Sequence, residues 1–209
     1  MHHARLAIWR RLLFNRATVS ELSGTVAPPV TSGTRPARWL VAPLVAFAAF
    51  ALAAGLVARD RQELPGNFKL FFSDQFHLMT WLSMVALALG CCQLFTAAWI
   101  FRKLPWPRPD WIPAAHRWTG RLALLVVLPV VYWCIFQLGF QTFDTRYVAH
   151  SVLGVLFVGF VAGKITIVRL QRYPGWVYPV AGLLVFASLF GAWWTSALWF
   201  LRQTGITLF

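Results

Sequence analysis

The sequence is poor in acid and in charge of any sign. Only six of its 209 residues are Asp or Glu, and Asp, Glu, Lys and Arg together make up 12%. Ordinary soluble domains carry about a quarter charged residues, so this composition excludes one, and it equally excludes coiled-coil rods and disordered chains. Three cysteines are too few for a disulfide scaffold. No glycine-rich phosphate loop and no carboxylate pair is present, so nucleotide-driven chemistry and carboxylate-pair hydrolysis lack their residues. No Asp or Glu sits at the centre of an apolar run, which removes the carboxylate relay of a proton-coupled pump.

What is abundant is apolar surface: 59% hydrophobic residues and a mean hydropathy of +0.63. About 20 apolar residues suffice to cross a hydrocarbon core of about 30 Å as a helix. Five stretches meet that length, near 39–58, 77–101, 116–139, 147–169 and 174–201. The chain therefore reads as an all-α integral membrane bundle of five transmembrane helices. Residues 1–38 form a cytoplasmic basic tail and linker, and 39–209 form the transmembrane domain. Cys91, Cys92 and Cys134 all fall inside spans and read as small buried hydrophobes. Pro129 should kink the third span by removing one backbone bond.

The net charge of +13 looks at first like a nucleic-acid signal. Its placement says otherwise. With loops on alternate sides, one side receives Arg59, Arg61, Lys69, Arg146 and Arg202, and the other receives 14 of the 19 basic residues. Basic residues concentrate in cytoplasmic loops. The charge is thus a topology signal, with no nucleic-acid partner: N-terminus in the cytoplasm, C-terminus outside, in a cell membrane of the bacterial inner-membrane type.

Histidine is the remaining chemically informative residue. His77, His116 and His150 each lie in the first turns of a span. Counting 1.5 Å per residue from the N-caps available at Ser73 or Asp74 and at Thr142–Asp144, His77 lies about 5 Å and His150 roughly 9 Å along their helices. Both helices run inward, so the two imidazoles share the outer leaflet; His116 enters from the opposite face. Two imidazoles at one level on facing helices are the simplest axial pair for a six-coordinate haem. Gly154 and Gly120 follow His150 and His116 by four residues, on the same helical face, where a side chain would meet a flat ring. Against this stands a bland alternative, in which the histidines are interfacial hydrogen-bonding groups and glycines such as Gly159 and Gly163 mark close helix packing.

The runs His150-Ser-Val-Leu-Gly154 and His116-Arg-Trp-Thr-Gly120, with a histidine near the start of the preceding helix, resemble the cytochrome b561 and ferric-reductase-like transmembrane haem proteins. The resemblance covers about residues 70–201. It implies a four-helix haem-binding core with one extra N-terminal span, haem b as cofactor, and histidines paired between the first and third and between the second and fourth core helices. On that pattern His77 and His150 are the metal ligands of an outer haem, and His116 is the second-helix ligand of another. Tyr173 to Tyr178 supplies no histidine to pair with His116, so the resemblance implies one complete outer site and a degenerate inner one.

Two functions follow as expectations. One is a b-type haem electron-transfer protein that exchanges electrons with a quinol or a partner redox protein, an electron-transfer subunit or oxidoreductase rather than an enzyme with its own soluble substrate. The other is a haem-free accessory or scaffolding subunit of a larger membrane complex. In both, the first partner is the lipid bilayer. Topology is checked with fusions: β-lactamase at the C-terminus should confer ampicillin resistance and a fluorescent protein at the N-terminus should light up inside the cell, whereas a fluorescent, β-lactamase-inactive C-terminus would reverse the orientation.

Overall fold

The computed structural model describes residues 38–60 and 70–206. The expected basic tail and linker, apart from residue 38, and most of the loop between the first and second spans lie outside these residues. A 3-10 turn, Arg38–Leu40, leads into α1 (Val41–Arg59). There follow α2 (Gln75–Ile100), α3 (Ile112–Trp133), α4 (Thr145–Leu170), α5 (Val177–Thr195) and a short α6 (Ala197–Thr204). The described residues contain no strand, and five helical stretches are long and apolar enough to cross a membrane. The chain is an all-α helical membrane protein.

Local chemistry sets the helix ends. Asp74 caps α2, its carboxylate accepting the His77 backbone N–H at 2.9 Å, which satisfies one of the amides that a helix start leaves without an intrahelical partner. Pro113 sits in the first turn of α3, where its missing N–H removes nothing. α4 ends at Gln171, which adopts the left-handed conformation (φ 49°) and returns its N–H to the Ile167 carbonyl.

Two irregularities shape the end of the bundle that holds the N-termini of α2 and α4. Pro129 deprives the Leu125 carbonyl of its usual partner, and shortly after it α3 widens into a π turn, Cys134–Leu138, closed by Gly139 N–H donating to the Cys134 carbonyl at 2.9 Å. The last span departs from the sequence reading of one helix over 174–201. It breaks at Ser196, between α5 and α6. There Thr195 Oγ1 donates to the Gly191 carbonyl at 2.9 Å and Ser196 Oγ to the Ala192 carbonyl at 2.8 Å. Hydroxyls that back-bond to preceding carbonyls compete with the amide ladder and bend helices.

Extensive contacts join α2 to α3 and α5, and α4 to α1 and α5. Helices α2 and α4 therefore lie diagonally across the bundle, with α5 between them. The π turn rests on α1, and Phe140 N–H donates to the Ala58 carbonyl at 2.8 Å, closing the side between α3 and α1. Ala86, Val127 and Phe157, from α2, α3 and α4, meet at the centre with Val185 and Leu189 of α5 packed against them. Outward faces stay apolar: Leu52 is 64% exposed, Leu125 65% and Leu183 57%. Only 11% to 28% of each span's most apolar window is buried within the chain. Lipid has to cover the rest, because water would not.

The seam between α1 and α4 depends on glycine. A Cβ at Gly159 would lie 2.7 Å from the Phe47 ring and 2.9 Å from its backbone oxygen, and one at Gly163 would lie 3.3 Å from the Pro43 oxygen. These distances bear out the sequence reading of Gly159 and Gly163 as close-packing positions, since without a hydrophobic force between helices in lipid, near approach of backbones is what holds them. Gly154, on the same helix, would meet nothing within 4 Å. Gly159→Ala should therefore cost about 1–3 kcal/mol by overpacking, while Gly154→Ala should lose nothing, as read by thermal unfolding in detergent. Equal losses would show that the α1–α4 approach is not the cause.

Candidate functional site

A cavity of about 460 Å³ opens where the π turn, the C-terminal end of α1 and the N-terminal turns of α2 and α4 meet the α5–α6 break. Each helix contributes the face that its periodicity dictates. α2 offers Phe76, Met79, Thr80 and Ser83; α4 offers Tyr147, His150, Ser151 and Gly154; α3 and its π turn offer Val127, Val131 and Cys134. Leu189, Trp193 and Phe200 complete a wall that is mostly apolar. An apolar pocket with a few converging polar groups is the usual form of a small-molecule or cofactor site.

His150 is the polar centre of this wall. Its Nδ1 lies 3.1 Å from the Ala192 carbonyl oxygen and 3.4 Å from Thr195 Oγ1. A carbonyl can only accept, so Nδ1 carries the proton and Nε2 keeps the lone pair. Nε2 lies 3.9 Å from Cys134 Sγ, which also lines the cavity. The anchor lies at the bend: the Ala192 carbonyl also accepts the Ser196 N–H at 3.2 Å and Ser196 Oγ at 2.8 Å. Gly154, one turn further along α4, leaves open space beside the ring.

His77 is placed differently. It lies at the same end of the bundle but is not among the residues lining the cavity. Phe76, Met79, Thr80 and Ser83 follow the 3–4 spacing of one helix face, and His77 is a step of about 100° away from Phe76. Its Nδ1 is 2.8 Å from Asp74 Oδ2 and 3.1 Å from Ser73 Oγ, and its ring stands edge-on to Phe200 with centroids 5.0 Å apart. Partial burial pushes the Asp74 carboxyl up, but hydrogen bonds from the His77 backbone and ring, attraction to that ring and the Phe76 N–H outweigh it and hold the group below its ordinary 3.8. The charged cap therefore contributes stability above the ordinary carboxylate range, and that contribution is lost as pH falls through the group's lowered value. The structure does not set His77 and His150 across one cavity.

His116 and Gly120 belong to the α2–α3 seam. His116 Nδ1 is 2.8 Å from Thr96 Oγ1, while Gln93 Nε2 donates to the His116 carbonyl and to Thr119 Oγ1, each at 2.6 Å. A Cβ at Gly120 would fall 3.0 Å from Gln93 Oε1. That glycine makes room for an inter-helix amide. Gln93 and Thr96 went unread in the sequence, although polar groups inside an apolar run are the signal that finds such clamps.

Cys134 and Arg146 hold more of the site than their positions in the chain suggest. Cys134 reads in sequence as packing, yet it touches His150. Arg146 also lines the cavity, its guanidinium 4.1 Å from the Tyr147 ring centroid and 3.9 Å from that of Trp199, donating to the Thr195 carbonyl at 2.9 Å. Trp199 thus stacks on this cation.

Fold and site define a polytopic helical membrane protein with an apolar, histidine-bearing cavity. The chain belongs to the family of unknown function DUF6529, whose model matches residues 39–208. No curated protein and no solved structure matches it. A double-mutant cycle tests the inner clamp: Thr96→Val and His116→Ala should couple by about 0.6 kcal/mol, and at most about 1.7, in thermal unfolding. Additive losses would remove the interaction.

Proposed function

We propose that the protein is a membrane-embedded electron-transfer protein that holds one b-type haem in the cavity, with His150 as an axial ligand. The observation that carries this is the state of His150. A ligating histidine commonly gives its second ring proton to a carbonyl or carboxylate, which fixes the tautomer and raises the basicity of the free nitrogen. His150 does so through Ala192, and its lone-pair nitrogen belongs to an apolar-walled cavity. Gly154 leaves room for a flat ring, and Met79, Val127, Val131, Leu189 and Trp193 supply the low-dielectric shell. Arg146, stacked between Tyr147 and Trp199, is the cation that would meet the carboxylates of the group.

When bound, haem supplies one-electron chemistry, with a potential set by its axial ligands, nearby hydrogen bonds and burial. The chain's own residues do the rest. Ala192 and Thr195 hold the His150 ring, the apolar wall excludes water, and Arg146 sets a cation in it. Electrons would pass to or from a quinol in the bilayer or a partner redox protein at that surface. The resemblance to cytochrome b561-like proteins supports the same reading, in the form of a single haem near the outer leaflet. His116, tied to Thr96 in the α2–α3 seam, takes no haem in this proposal.

A haem-free accessory subunit is the second reading, and one observation favours it: His77 and His116 are both engaged in a helix cap or an inter-helix clamp. Dithionite-reduced minus oxidised spectra of the detergent-purified protein, with pyridine haemochrome quantitation, separate the two. One haem b per chain is expected, and its loss in His150→Ala. A folded protein that contains none and takes up none when given haemin would leave the accessory reading standing.

A further inference from the structure

A second cavity, of about 280 Å³, lies between the first turns of α4 and the α5–α6 break, and two arginines line it, Arg146 and Arg202. Arg146 also lines the larger cavity and spends one of its five N–H donors on the Thr195 carbonyl. Arg202 belongs to the smaller cavity alone. Among the described residues, neither guanidinium is paired with a carboxylate.

The placement of these cations is unusual. Arg146 is the second residue of α4 and Arg202 the third from the end of α6, so both stand where apolar spans end. An arginine at such a boundary ordinarily extends its stem and puts its charge in water. Arg202 instead carries its guanidinium back to 5.7 Å from the ring centroid of Trp194, eight residues earlier in the chain, and Arg146 holds its own against Tyr147 and Trp199. Trp194 is 51% exposed and Trp199 40%, and with Leu198 they give the cavity apolar walls. Positive charge held at the edge of hydrocarbon is costly without an anion, and the described chain supplies none.

We propose that this cavity binds the headgroup of an anionic phospholipid, with Arg146 and Arg202 on its phosphodiester and an acyl chain along Leu198 and Trp194. The planar fork of a guanidinium matches two phosphate oxygens. An amphiphile also covers the exposed tryptophan rings, which a free anion would leave bare. The bilayer presents such a group at this depth, and basic pockets between transmembrane helices are a recurring form of lipid headgroup site. The proposal does not depend on haem: Arg202 is remote from the His150 wall and lines only the smaller cavity.

The test titrates the full-length chain in mild detergent with phosphatidylglycerol or phosphatidylcholine, read by native mass spectrometry and thermal unfolding. One phosphatidylglycerol should stay bound per chain and raise Tm. Phosphatidylcholine, whose choline cancels the phosphate charge, should do neither at the same concentration. Arg202→Gln should weaken phosphatidylglycerol binding by about tenfold or more, and Arg202→Lys, which keeps the charge without the fork, should fall between. A parent chain that retains both lipids equally overturns the proposal, as does an Arg202→Gln protein that binds phosphatidylglycerol like the parent. Inorganic phosphate that raises Tm as much as the lipid would also overturn it, in favour of a free anion. Haem content is measured in the same samples: lipid selectivity in a chain that takes up no haem leaves this inference standing and removes the proposed function, and haem without lipid selectivity does the reverse.

Discussion

The geometry of the cavity depends on one hydrogen bond, from His150 to the carbonyl of Ala192. In hydrocarbon a backbone polar group without a partner is costly, so a helix can break inside a membrane only where something re-satisfies what the break frees. At the α5–α6 junction Thr195 and Ser196 bend the helix through their own hydroxyls, and His150 reaches across from α4 to the same carbonyl. The bond therefore ties α4 to the bend, at a carbonyl that also accepts the Ser196 N–H and the Thr195 and Ser196 hydroxyls, and it fixes which imidazole nitrogen has a lone pair to offer.

The rest of the bundle keeps that end open. Diagonal helices α2 and α4 are held apart by α5, while the π turn after Pro129 and its contact with Ala58 close the remaining side. Ala86, Val127 and Phe157 pack together at the centre, and Val127 and Phe157 also line the cavity. Tight packing is concentrated instead at Gly159 and Gly163, where α1 and α4 touch backbone to side chain. Helix α1 thus contributes Ala58 to the cavity wall as well as supporting α4.

Much of the architecture was legible because hydropathy and length are one-dimensional properties. All five spans and the close-packing role of Gly159 and Gly163 follow from runs of apolar residues and from a spacing of four. The candidate site was legible in half. His150 and Gly154 were found by their position and spacing, and the cavity contains both. His77 satisfied the same depth argument but not the rotational one, since a single residue swings a side chain by about 100° around the helix. His116 and Gly120 matched a motif that also describes a glycine accommodating Gln93. Cys134 was read as packing and Arg146 as a loop charge, because nothing in a linear chain marks a thiol or a cation near a helix start as facing a particular void.

By itself the sequence determined that this chain is a five-span helical membrane protein, because each span's affinity for lipid is a sum over its own residues and needs no neighbour. It also determined which residues have depth in common, because rise per residue is constant along a helix. Only the tertiary structure decided which of them face one another. Rotation about each helix axis, the break at Ser196 and the diagonal placement of α2 and α4 arise from packing between helices, and those contacts join residues far apart in the chain whose pairing no local pattern encodes.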